Sequence, residues 1–146
     1  MEIKSLLFML FALSTLGFAG QNLGKIVVKI DGFKNNNGVV HICIFDTSGR
    51  KDFPCPNHVV ASKKIIISDL RALAVFDSIP YGQYAISMYH DEDGDGKLKT
   101  NILGMPVEGI GFSNNVRPKL GPPSFKDAAF ILNSALLEMG LSVLYL

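Results

Sequence analysis

The 146-residue chain contains no tryptophan, which weakens any proposal of a sugar-stacking surface without excluding one. It contains only two cysteines, and they form neither a CxxC redox pair nor part of a His/Cys cluster with zinc spacing. Charge of one sign is also missing. The formal net charge is +1, so there is no electrostatic reason to propose nucleic acid or an acidic membrane surface as partner. Ser48, Ser113 and Ser124 lack the strand–turn–helix setting of an exposed nucleophile. Beyond the N-terminus no segment has a long helical period.

What is present begins with an apolar run, Leu6 to Leu16, behind a weakly positive start at Lys4. The run has signal-peptide length and is too short for a comfortable membrane span. Gly17 and Ala19 supply small residues at −3 and −1 of a cut after Ala19, so residues 1–19 are expected to be a cleaved signal peptide. No Cys follows the run to carry a lipid. The mature domain is expected over 20–146, about 127 residues, enough for one two-layer core. Its address is then periplasm, cell surface or medium. In an oxidising compartment Cys43 and Cys55 are expected to pair, closing a short loop worth about 3 kcal/mol.

Apolar residues recur with period two. Ile26, Val28 and Ile30, then Val40, Ile42 and Ile44, then Tyr84, Ile86 and Met88 each alternate with a second set. Lys64–Ile67, Leu73–Phe76, Ala128–Leu132 and Leu141–Tyr145 add four shorter runs, separated by turn signals such as Asn37-Gly38 and Pro80-Tyr81-Gly82. Seven short strands predict an all-β, seven-stranded antiparallel β-sandwich, immunoglobulin-like or transthyretin-like. Pro80, Gly82 and Tyr84 match a tyrosine corner, a structural device. The stretch Asp91 to Lys126, about 36 residues, reads as one long ordered Gly/Asp-rich loop. Ile102, Leu103, Met105, Val107, Ile110, Phe112 and Phe125 are expected to pack it down.

Chemistry concentrates in HDEDGDGKLK, from His90 to Lys99. Asp91, Asp93 and Asp95 alternate and Gly96 follows, the first half of a calcium loop, in which a tight curl turns alternate oxygens inward. Lys97 would add its backbone carbonyl, and Leu98 would anchor the loop. The second half departs: Lys99 and Ile102 stand where oxygen ligands are needed, so an EF-hand is excluded. A weak Ca²⁺ site then needs ligands from Asn101, Glu108, Asn114 or Asp127. The bland alternative is a solvated turn with Lys97 and Lys99 as counterions. A second segment, Gly104, Glu108, Phe112, Asn114, Asn115 and Arg117, reads either as a recognition surface or as internal hydrogen bonding of a packed loop.

The run YHDEDGDGKLKTNILGMPVEGIGFSNN, followed by GPPSFKDAAF, closely resembles the uncharacterised bacterial domain of unknown function family 2141, over about Leu23–Leu146. The resemblance implies a small exported β-domain and no established activity. The family pattern commonly has Asp after Lys-Leu; Lys99 here removes that carboxylate from the expected metal site. Three functions follow. The first is a non-enzymatic binding module with a Ca²⁺-stabilised loop, its partner an envelope component, carbohydrate or protein. The second is a metal-assisted hydrolase using His90, Asp91, Asp93 and Glu108. The third is a purely structural envelope domain.

Overall fold

The computed structural model describes residues 20–146; the leader expected at 1–19 lies outside the described residues. Among the described residues eight strands are formed: β1 Leu23–Asp31, β2 Val39–Asp46, β3 Ala61–Ile66, β4 Ala72–Pro80, β5 Gly82–Asp91, β6 Ile110–Phe112, β7 Phe130–Leu132 and β8 Leu136–Ser142. A 3-10 turn over Ser113–Asn115 follows β6, and a four-residue helix, α1, covers Phe125–Ala128. Two sheets result. One has the order β4-β1-β8; the other runs β3-β2-β5-β6, with β7 also on β5. All pairs are antiparallel except β1–β8, which is parallel.

The alternation read from sequence decides which residues meet. Ile26, Val28 and Ile30 of β1 join Val40, Ile42 and Ile44 of β2 and Ile86 and Met88 of β5 in one apolar cluster that both sheets share. Residues of opposite parity on the five-stranded sheet form a second cluster. There Phe45 and Ala85 meet Ile110, Phe112, Phe53 from the β2–β3 loop, and Phe125 and Ala128 of α1. The larger sheet is therefore covered on both faces, and that is why β5 is buried along most of its length. Tyr84 donates its hydroxyl to the Pro80 carbonyl at 2.7 Å, closing the β4–β5 turn.

Three expectations are corrected. The described residues form eight strands rather than seven, and one pair, β1–β8, is parallel. β6 and the α1 region interrupt the supposed single loop, because Ile110 and Phe112 pair with β5 and enter the second cluster. Cys43 and Cys55 are free thiols, not a disulfide. Cys43 packs against the second cluster. Pro54 docks through its carbonyl on the Ser87 hydroxyl at 3.2 Å, and the turn closed by the Cys55 N–H on Asp52 leaves Cys55 exposed. Burial pushes the Cys43 thiol up. Cys55 is therefore expected to alkylate at least about tenfold faster than Cys43 at pH 8, read by mass spectrometry of timed iodoacetamide samples. Equal rates would contradict the packing of Cys43.

Candidate metal loop at the end of β5

β5 ends at Asp91 and leads straight into the acidic run. Alternation sends His90 and Asp91 to opposite faces. His90 turns toward Phe33, edge to face at 5.2 Å. Its Nε2 lies 2.7 Å from the Asn37 carbonyl and its Nδ1 lies 2.8 Å from the Tyr145 hydroxyl. A carbonyl only accepts, so Nε2–H donates to Asn37, while the Tyr145 oxygen beside Nδ1 also takes the Lys34 N–H. Both ring nitrogens are occupied in tying the β1–β2 loop to the residues after β8.

Asp91 faces the other way and is 1% exposed. Its Oδ2 accepts the Gly96 N–H at 2.9 Å and lies 2.9 Å from Nε2 of His41. Its Oδ1 is buried with no hydrogen-bond partner. An orphaned oxygen of this kind costs about 1–3 kcal/mol unless something fills its shell. Asp93 and Asp95 are exposed, and one oxygen from each of the three carboxylates lies within 4.8 Å of the others. Asp95 N–H donates to Asp93 Oδ1 at 3.4 Å and Lys97 N–H to Asp95 Oδ1 at 2.8 Å, so each aspartate winds the turn after it. Gly94 and Gly96 hold φ of 73° and 78°, left-handed values that let the curl close. The Lys99 ammonium pairs with Asp93 and holds that carboxyl below its usual range. This triad offers a divalent cation a place to sit.

The other sequence candidates are engaged elsewhere. Buried Glu108 accepts the Glu92 N–H through Oε1 at 3.0 Å and the Lys99 N–H through Oε2 at 2.9 Å, so it staples both ends of the acidic turn. Asn101 Oδ1 accepts from Leu103 and Met105. Asn114 donates to the carbonyls of Asp127 and Ala129. Asp127 closes a capping box with Ser124 at the start of α1, and the Ser124 bonds lower its carboxyl. Asn115 accepts the Ser142 N–H at 2.9 Å. Phe112, Asn115 and Arg117 line a cavity of about 70 Å³, well below the volume of an organic-ligand site. Gly104 sits apart, in the turn after Asn101, at φ 76°.

The packing expected of the loop's aliphatics divides. Ile110, Phe112 and Phe125 are buried, whereas Leu98, Ile102, Leu103, Met105 and Val107 are exposed. Hydrogen bonds, not burial, hold that part of the loop. Sequence reading missed His41. It stacks on Tyr89 at 4.6 Å and its Nε2 is within hydrogen-bond distance of Asp91. Burial, then the Asp91 charge, pushes the Tyr89 phenol up to about 12. Only the β2–β5 register, Val39 opposite Asp91 and His41 opposite Tyr89, brings His41 to this place, and those strands are far apart in the chain.

Among the described residues no helix is long and apolar enough to cross a membrane. Residues 28–138 match the family described as "Uncharacterized protein conserved in bacteria (DUF2141)". No curated protein and no solved structure matches the chain.

Proposed function

We propose that this chain, which belongs to the uncharacterised bacterial family DUF2141, is an exported, non-enzymatic β-sandwich binding module whose acidic loop takes up Ca²⁺ weakly. The carrying observation is the Asp91 carboxylate. One buried oxygen has no partner, and it belongs to a group of three carboxylates within 4.8 Å. Asp91, Asp93 and Asp95 would supply the charged oxygens. A bound cation would remove their mutual repulsion and give the Asp91 carboxylate a further partner. The open shell and the Lys99 ammonium on Asp93 favour a millimolar site of the extracellular kind. The shared core of the two sheets supports the sandwich reading, and the apolar leader supports export to periplasm, cell surface or medium.

Calorimetry and melting curves test this. At a tenfold excess of Ca²⁺ over the dissociation constant, the melting temperature is expected to rise by about 5 °C. Asp93→Asn, at an exposed position, should remove most of the shift without lowering the metal-free melting temperature by more than about 2 °C. No heat and no shift would leave the run as a solvated turn.

A second reading, a metal-assisted hydrolase, draws on one observation: His41 lies 2.9 Å from Asp91 beside the carboxylates. His41 takes over the part expected of His90. Turnover of an ester, glycoside or peptide panel, abolished in His41→Ala, would replace the binding module with this reading.

A further inference from the structure

Directly after the acidic turn, residues 99–108 form a small hairpin. The Asn101 N–H donates to the Met105 carbonyl at 2.8 Å, the Val107 N–H to the Lys99 carbonyl at 3.0 Å, and Thr100 bridges Pro106. Asn101 Oδ1 caps the tip by accepting from Leu103 and Met105, and Glu108 anchors the base at Lys99. The tip is therefore built, yet its side chains point away from the protein. Ile102 is 102% exposed and Leu103 is 78% exposed, with Met105 and Val107 exposed behind them. Four aliphatic residues held in water by an ordered turn mark an interaction site.

We infer that this hairpin and the acidic turn together dock on an anionic lipid surface when Ca²⁺ is bound. The inference rests on the metal reading above. Three arguments select the occupant. Ca²⁺ takes six to eight oxygens, and the triad gives three carboxylates, so positions stay open for phosphate oxygens from outside the protein. The charge at this end supplies a switch. Asp91, Glu92, Asp93, Asp95 and Glu108 outnumber Lys34, Lys97 and Lys99, so the metal-free end is repelled by lipid phosphates; a divalent cation cancels the excess. The shape is also right. Two highly exposed branched side chains on a narrow turn suit insertion at the headgroup–acyl boundary, where apolar area and charge attraction add. The near-zero charge of the whole chain hides this local arrangement.

The test is co-sedimentation of the purified protein with phosphatidylglycerol/phosphatidylcholine vesicles, with Ca²⁺ or with chelator, beside melting curves under both conditions. Binding is expected with Ca²⁺ and at least tenfold weaker with chelator. Ile102→Asp/Leu103→Asp should weaken it at least tenfold while keeping the Ca²⁺-induced melting shift. Both proteins share the same N-terminus, so their difference reads the hairpin alone. A melting shift without vesicle binding would overturn the lipid inference and leave the metal site standing. Binding unchanged by chelator, or unchanged in the double variant, would also overturn it. So would a dimer on size-exclusion that the double variant abolishes, in the absence of vesicle binding; a second copy would then be the occupant. The absence of any melting shift would remove the metal reading and this inference together.

Discussion

Gly38→Ala is expected to lower the melting temperature by about 10 °C, the loss of about 3 kcal/mol. Gly38 stands one residue before β2, with φ 65°, against the end of β5. A Cβ there would run into the Asp91 carbonyl, with the Glu92 backbone close behind. Both obstacles are main chain, Asp91 at the paired end of β5 and Glu92 directly after it, so neither can rotate aside. Relief requires shifting β2 against β5 at the Val39–Asp91 pair, which also moves the Asp91 carboxylate. The Ca²⁺-induced shift should therefore shrink along with stability. Thermal melting with and without Ca²⁺ reads both. A variant as stable as the parent would show that the close approach of these two segments is wrong.

The second large effect is expected at Glu108. Glu108→Ala removes the buried acceptor of two main-chain donors, Glu92 N–H and Lys99 N–H, whose hydrogen bonds are part-buried. Stranding both costs about 2–4 kcal/mol, reduced by the desolvation that the carboxylate no longer carries. Glu108→Gln keeps one accepting oxygen and aims an NH₂ at the other donor, so roughly half of that loss, about 1–2 kcal/mol, should remain. The pair of variants distinguishes a staple from a ligand. A staple lowers metal-free stability in both. A ligand in Glu108→Gln would abolish the Ca²⁺ response while leaving the metal-free melting temperature unchanged, and that outcome would return Glu108 to the metal site.

The two-sheet, all-β architecture was readable because period-two alternation is a local property, and Ile26, Val28 and Ile30 or Val40, Ile42 and Ile44 leave no other economical reading. β6 was not. Ile110-Gly111-Phe112 is three residues long, and its strand character comes from pairing with β5 rather than from its own pattern. β8 was read about five residues late. The parity of Leu141 was correct, but beyond Ser142 the chain leaves the sheet, with Leu144 bridging Ile110 instead. At the candidate site the same division holds. The aspartate triad is local and legible, as is the opposition of His90 and Asp91 on neighbouring strand positions. The contact of His41 with Asp91, the staple by Glu108 and the outward tip at Ile102 depend on which strands pair and on where hydrogen bonds substitute for burial. An expectation that aliphatic residues pack inward fails at Ile102 and Leu103 because Asn101 and Glu108 already hold the backbone that burial would otherwise have had to order.

The parallel pairing of β1 with β8 sets a schedule for assembly. β1 is the first described strand to be made, and both of its neighbours come later: β4 after the whole of β2 and β3, and β8 after every other strand. A nascent β1 therefore waits with both hydrogen-bonding edges open, while β2 and β3 can already pair with one another. Closure across so long a sequence separation is slow, and until it happens one edge of β1 is a template for a neighbouring chain. The outward lysines of β1, Lys25 and Lys29, end in ion pairs with Asp77 and Glu138 of the two late partners. Before those partners arrive the same ammonium groups stand unpaired along the strand, where like charges discourage two waiting copies from joining.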